Sequence, residues 1–383
     1  MRIGINTRFL LSDKMEGFGW YTYEVVRRIV RNHPEHEFIL FFDRKVDQKF
    51  KFGSNCTEIV LNPQARHPLL YLVWFEWSLK RALKKYKIDA LFSPDGSLVL
   101  GSTIPQINVI HDINFEHYPE DLPGLAGWYY RKYFPKYANH SQKIITVSQA
   151  SKEDIVSTYK IDPDKIEVVW NGASEKFLVF SNEEIESFRT ENNLKPYFLF
   201  VGSIHPRKNV QRLVNSFALF MEQNFFPTID LVIVGKPMWK GNTIEIPESV
   251  KNSIRFTGHL PQEKLVQYTA SAFALTYVPY FEGFGIPLVE AMKCGIPILS
   301  GNKTSLPEIA GDAAIYCNPF DEKDISDGMQ RIFQDYELRL KIKNNGVERA
   351  KLFSWDITAE NVWTVITNHL NSKNQRINFL KFK

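Results

Sequence analysis

Short runs of β-branched and aromatic residues recur along the chain, and most are followed by a stretch with helical spacing. In the first half the runs fall at 3–6, 37–42, 58–61, 90–93, 107–110, 143–147 and 167–170. In the second half they fall at 197–201, 230–234, 253–256, 274–278, 296–300 and 314–317. Each run is too short for a helix and rich enough in Val, Ile and Phe for a buried strand. Amphipathic stretches such as 210–222 and 324–333 lie between them. This order requires βαβ units and parallel sheets. Two series in succession predict two doubly wound, Rossmann-like α/β domains. The break falls in the polar, acidic stretch near 174–195, which predicts domains at 1–178 and 195–362. A helical pattern from Trp355 onward ends in a basic tail.

A chain of 383 residues is long enough for two cores, and 44% hydrophobic with 23% charged residues is an ordinary globular balance. The net charge of +4 is too small for a nucleic-acid-binding surface and suits a small polyanionic ligand. Cys56, Cys294 and Cys317 have neither disulfide-framework nor metal-ligand spacing, so they read as reduced thiols of a cytoplasmic protein. The start, MRIGINTRFLL, lacks the long apolar region of a signal peptide. No HExxH, Walker loop or zinc spacing occurs, so neither a metal nor a cofactor is expected.

In open parallel sheets, ligands bind beyond the carboxyl ends of the strands. The loops there carry the chemistry, notably NTRFLLSDKMEGFG, HDINFEHYP, SQAS, GSIHPRKN, GKPMWKGN and PYFEGFGIP. GSIHPRKN sets Arg207 and Lys208 behind Pro206 at an expected helix start, where an anion such as a diphosphate would be attracted. In FEGFGIPLVEAMKCG, Gly283 and Gly285 allow close backbone approach and Pro287 suits a first helical turn. Glu282 and Glu290 would repel phosphate there, so they are expected to meet neutral hydroxyls, gripping diols. Phosphate in the middle and diols at both ends describe a nucleotide-sugar. The plainer reading makes Glu290 a helix-dipole partner and Glu282 a turn residue; spacing alone leaves both readings open.

These motifs resemble glycosyltransferase family 4, retaining enzymes of the GT-B fold, in which two Rossmann-like domains face a central cleft. The resemblance rests on the pair Glu282 and Glu290 within EGFGIPLVEAMKCGIPIL, on VGSIHPRKN before it, and on SLPEIAGDAAIYCNPFD after it. VSQASKEDI, IEVVWNGA and GFGWYT resemble parts of the first domain. The resemblance implies that Glu282 contacts the donor sugar beside the anomeric carbon, and that Glu290 binds the ribose diol. Lys208 with Arg207 would neutralise the diphosphate. The amides around Phe284, Gly285 and Ile286, and the turn at Gly17 and Gly19, would approach donor atoms. His111 would face the sugar. A C-terminal helix, about 363–383, would cross back to the first domain. One departure is Ser203, where many members carry Arg. Alanine at Glu282 or Lys208 is expected to abolish transfer with the fold intact.

The implied activity is hexose transfer from a nucleotide-sugar to a saccharide or lipid-linked acceptor in surface polysaccharide synthesis. The resemblance of the GKPMWKGN loop and the EGFGIP context to bacterial mannosyltransferases favours GDP-mannose as donor, ahead of UDP-glucose or UDP-N-acetylglucosamine. An epimerase of the same fold and a non-catalytic nucleotide-sugar sensor are the alternatives. Asp162, Pro163 and Asp164 match a metal-nucleotide pattern but precede a strand, at the wrong end of a sheet. Two segments, 68–87 and 127–137, mix aromatics with basic ends. They are expected to pack on a sheet with a wet basic end. The other use for such a segment is peripheral docking on an anionic membrane.

Overall fold

A computed structural model describes residues 1–12, 15–225, 227–237 and 244–381. The chain divides into two compact units, one of Met1–Asn171 with Trp355–Lys383, the other of Gly172–Ser354. The helices that matter below are α1 (Gly17–Asn32), α2 (Gly124–His140), α3 (Asn182–Glu191), α4 (Val210–Gln223), α5 (Ile286–Lys293) and α6 (Trp355–Lys381).

The first unit is built on a seven-stranded parallel sheet. Its strands are β1 (Arg2–Asn6), β2 (Glu37–Phe42), β3 (Cys56–Val60), β4 (Ala90–Ser93), β5 (Gln106–Val109), β6 (Lys143–Thr146) and β7 (Ile166–Val168). They run in the order β3-β2-β1-β4-β5-β6-β7. Every run that the sequence marks as a strand in this half forms one. The central strands are buried on both faces, which explains their unbroken apolar character. Helix α6 closes this core. Trp355, Val362, Trp363 and Ile366 are buried with α1 and the sheet, and Trp363 stacks on His33 at 4.3 Å. The Arg28 guanidinium on α1 is 2.7 Å from Asp356.

The second unit has six parallel strands, β8 (Tyr197–Val201), β9 (Asp230–Val234), β10 (Ile254–Gly258), β11 (Ala274–Tyr277), β12 (Ile298–Gly301) and β13 (Ile315–Cys317). Their order is β10-β9-β8-β11-β12-β13. Residues 172–196 lie with this unit because α3 docks on it. Phe188 packs edge-on against Tyr268 at 5.2 Å, and Arg189 donates to the Ser271 carbonyl at 2.8 Å. A capping box between Ser181 and Glu184 fixes where α3 begins.

In each sheet the strand order reverses direction once, between β1 and β4 and between β8 and β11. Loops diverge at such a switch point and leave a crevice at the carboxyl edge. Three of the sequence-marked loops, those after β1, β8 and β11, leave the sheets at these two places. Among the described residues no helix is long and apolar enough to cross a membrane.

Candidate active site

In the second unit the switch point brings together the loops after β8, β11 and β12. The loop after β8 makes a single 3-10 turn, Pro206–Lys208, instead of running straight into a helix. His205 caps it, its Nδ1 accepting from the Arg207 amide at 3.3 Å, which gives this histidine a structural task. Asn209 then takes a left-handed conformation, φ 64°, before α4 starts at Val210. Its side-chain amide donates to the Val278 and Pro319 carbonyls at 3.0 and 2.6 Å, so tertiary contacts fix the reversal. Arg207 and Lys208 therefore lie ahead of α4, separated from its first turn by Asn209, which corrects the expected helix start.

Both cations turn toward Glu282 in the loop after β11. Arg207 donates to the Phe281 carbonyl at 3.0 Å and to the Glu282 carboxylate at 3.1 Å. Lys208 Nζ is in close contact with the same carboxylate and lies 2.6 Å from the Tyr277 hydroxyl. Tyr277 in turn donates to Glu282 at 2.9 Å. The loop after β12 locks the peptide of Glu282. Thr304 Oγ1 accepts its amide at 3.1 Å, and Ser305 Oγ donates to its carbonyl at 2.9 Å. Burial alone would raise the Glu282 carboxyl, but Lys208, Arg207 and the Tyr277 hydroxyl outweigh it and hold it at about 2. Burial first, and then Glu282, raise Tyr277 far above the ordinary phenol range, so it stays a neutral donor. The expectation that Glu282 would face only neutral hydroxyls is corrected here, because it anchors a cationic cluster.

Next, Gly285 adopts φ 93° and opens α5, with Pro287 in the first turn. A Cβ on Gly285 would fall 3.0 Å from Leu306, so both conformation and space call for glycine. Phe284 is buried and packs edge-on against Phe353 at 5.8 Å, leaving its main chain as the only part suited to a ligand. Glu290 lies on the second turn of α5. Burial with no compensating partner among the described residues pushes its carboxyl up to about 8. A carboxyl raised by burial in this way differs chemically from the clamped, ionised Glu282.

The first unit gathers its own polar groups at its switch point. His111 follows β5, and its Nε2 donates to the Pro94 carbonyl at 3.0 Å, which fixes the tautomer and leaves Nδ1 as an acceptor. The ring packs between Phe18 and Tyr21, with centroids at 4.9 and 4.8 Å. Burial lowers its pKa, so it is neutral at physiological pH. Gly17 begins α1 with open space where a Cβ would stand, whereas a Cβ on Gly19 would lie 2.7 Å from the Phe9 carbonyl. Gly19 is thus required by the close packing of α1 against the loop after β1. Asp162 caps the turn Pro163–Lys165, accepting from the Asp164 amide at 2.9 Å, a structural role for that acidic pair.

Two groups escaped the sequence reading. Tyr277 looked like one more strand residue, though a hydroxyl at the end of a buried strand was a usable signal. Arg8 and Asp95 form a buried ion pair at 2.8 Å across the β1–β4 switch point, with Arg8 4.5 Å over the Tyr71 ring. Their separation of 87 positions left no local pattern to read. The GKPMWKGN loop lies largely outside the described residues.

Comparison with known proteins agrees along most of the chain. A family model for Glycosyltransferase Family 4 matches residues 15–176, and one for Glycosyl transferases group 1 matches residues 181–349. The O-antigen chain mannosyltransferase B of Escherichia coli is 28% identical over 359 residues, 89% of this chain and 93% of that protein. The serotype-specific mannosyltransferase WbdA of the same organism is 28% identical over 66% of this chain, but that match spans only 32% of its length. Among solved structures, the sucrose-phosphate synthase of Thermosynechococcus elongatus superposes with a TM-score of 0.77, covering 97% of this chain and 99% of that one. At 17% identity that likeness speaks for the fold alone.

Proposed function

From the premise that the chain is a glycosyltransferase of the GT-B fold, related to bacterial mannosyltransferases, we propose that it transfers mannose from GDP-mannose in surface polysaccharide synthesis. The acceptor class is a saccharide or lipid-linked saccharide. The observation that carries this reading is the convergence of Arg207, Lys208, Tyr277 and Glu282 at the switch point of the second sheet. Two adjacent cations, held in place by Glu282 and Tyr277, suit a diphosphate whose charge grows as the glycosidic bond breaks. Glu282 then serves two ends. It pre-positions both cations and offers a carboxylate to sugar hydroxyls. Glu290 is the acceptor for the ribose diol, and the amides of Phe284, Gly285 and Ile286 line the approach to sugar and phosphate. His111 and the turn at Gly17 and Gly19 are the donor-facing groups of the first unit.

In the step itself, the bond from the anomeric carbon to the phosphate oxygen breaks and the diphosphate leaves with the electron pair. The acceptor hydroxyl oxygen bonds the same carbon, and its proton passes to the departing phosphate. Attack on the face just vacated retains the anomeric configuration. Glu282 is already committed to two cations and a phenol, which argues against its acting as a covalent nucleophile.

The test is a thermal-shift series with GDP-mannose, UDP-glucose and UDP-N-acetylglucosamine, followed by NMR of donor consumption with oligosaccharide acceptors. A ligand at a hundred times its Kd adds about 2.7 kcal/mol of stability, an easily read shift. GDP-mannose is expected to stabilise most and to yield an α-linked product. Stabilisation by a UDP-sugar alone would overturn the donor assignment. Sugar interconversion without acceptor would make the protein an epimerase.

A further inference from the structure

A buried ion pair is a poor stability device, because well-packed apolar side chains of similar volume often do as well or better. Arg8 and Asp95 form such a pair at the switch point of the first sheet, 6% and 7% exposed. The Asp95 carboxylate is fully engaged. Its Oδ2 accepts from Arg8 Nη2 and Nε at 2.8 and 3.2 Å, and its Oδ1 accepts from the Ser97 amide and the Ser93 hydroxyl at 3.0 and 3.2 Å. Arg8 is held in turn. Asn6 Oδ1 accepts its amide at 3.2 Å, and Asn6 Nδ2 donates to the Ser93 hydroxyl at 2.9 Å. These bonds tie the end of β1 to the turn that follows β4.

The turn itself has little freedom. Gly96 takes φ 85°, and a Cβ there would fall 2.8 Å from Phe134 on α2. Its carbonyl accepts from Asn108 Nδ2 at 2.7 Å. Pro94 is therefore flanked by two anchored residues, Ser93 and Asp95, and its carbonyl is the group that His111 Nε2 meets at 3.0 Å. Among the described residues this carbonyl is the ring's only hydrogen-bond partner. Phe18 and Tyr21 offer it ring contacts alone. Ring contacts do not distinguish one imidazole nitrogen from the other. A carbonyl does, because it accepts and never donates.

We propose that Arg8 and Asp95 are positioning residues for His111. By holding the Pro94 carbonyl in place they keep the imidazole proton on Nε2 and present Nδ1 as a fixed acceptor to a hydroxyl of the donor sugar. Charge-assisted bonds are short and directional, which suits a pair that must hold a turn in register with a neighbouring strand. An imidazole free to move its proton between nitrogens would offer that hydroxyl a donor for part of the time. This role rests on the reading of His111 as a donor-facing group; the tautomer does not, and can be measured without any donor.

Nitrogen-15 NMR of the full chain labelled at histidine reads the tautomer, with His111 identified among the nine histidines by its loss in His111→Gln. The parent near neutral pH is expected to show two well-separated ring-nitrogen resonances, with the proton on Nε2. The double variant Arg8→Met with Asp95→Leu removes the pair and leaves no charge unmatched. It is expected to fold, as judged by circular dichroism, and to show the two resonances drawing together as the tautomers exchange. Arg8→Gln with Asp95→Asn, which keeps an acceptor for the Ser97 amide, serves where the first variant does not fold. With GDP-mannose as donor, kcat/KM is expected to fall about tenfold, the scale of one neutral hydrogen bond. The same double change in a His111→Ala background should add about twofold at most, because the group it positions is gone. A parent His111 that is charged near neutral pH, or protonated on Nδ1, overturns the proposal. So does a folded pair variant that keeps the parental resonances, or a loss that multiplies in full with that of His111→Ala. The expected resonances in a parent that does not turn over GDP-mannose would contradict the donor assignment and still support the positioning role.

Discussion

Glu282 and Glu290 sit eight residues apart and have opposite protonation chemistry. The Glu282 carboxyl lies below its ordinary value, so its ion pairs add stability above about pH 4.5, and this is lost as pH falls toward about 2. Glu290 is raised to about 8, so the folded protein holds a proton there that the unfolded chain releases above about 4.5. Stability from this group is present at acid pH and lost as pH rises through 8. Glu290→Gln is expected to gain thermal stability over the parent as pH goes from mildly acidic to mildly alkaline. A constant difference in melting temperature across that range would count against a neutral Glu290. Binding a ribose diol favours the ionised carboxylate, so nucleotide binding near neutral pH should release a proton. Calorimetry in buffers of different ionisation enthalpy reads that release directly. Tyr277→Phe removes a hydrogen bond to the charged pair while keeping the ring. Turnover is expected to fall roughly tenfold to a hundredfold, and losing this charge-assisted bond should also lower the unfolding free energy by about 1.5–3 kcal/mol. Alanine at Glu282 is a poorer probe than the sequence suggested. It would leave Lys208, 8% exposed, without its carboxylate, and breaking a buried pair costs about 3–5 kcal/mol.

At the scale of elements, the start of α5 depends on one residue. Gly285→Ala would place a side chain in the left-handed region and against Leu306, costing about 1–2 kcal/mol for the conformation alone. Urea unfolding is expected to show a lower midpoint at unchanged slope. An unaltered midpoint would mean that α5 can start elsewhere. The strands were legible because buried parallel strands concentrate β-branched residues into short runs, and β8, YFLFV, shows this without interruption. The α5 loop was legible because glycine and proline announce their conformations locally. The turn at Arg207 and Lys208 was not, because the left-handed Asn209 is imposed by the carbonyls of Val278 and Pro319, far along the chain. The outward-facing Trp77 and Trp128, on the two segments that mix aromatics with basic ends, were hidden for a related reason. A helix with two apolar faces has no single stripe, so spacing could not say which face met the sheet.

At the scale of the whole chain, residues 355–381 return to the unit formed by the first 171 residues. Ending the chain after Ser354 would strip Trp355, Val362, Trp363 and Ile366 from the core around α1. Calorimetry is expected to show the first unit melting early or not at all, while the second, continuous from Gly172 to Ser354, keeps its transition. Equal loss of both transitions would show that the units fold only together. The composition pointed to two cores and the strand runs to two sheets. That the last helix belongs with the first unit came from the family resemblance, since nothing in its own spacing names its partner.

The most direct measurement is mannose transfer from GDP-mannose by the parent protein and by Glu282→Gln, Lys208→Met and Arg207→Gln, each checked for an intact fold by circular dichroism. The expected result is measurable transfer by the parent and at least a hundredfold loss in the Lys208 and Glu282 variants, the scale on which preorganised charge acts. Near-parental turnover in either variant would contradict the claim that this cluster holds the departing diphosphate.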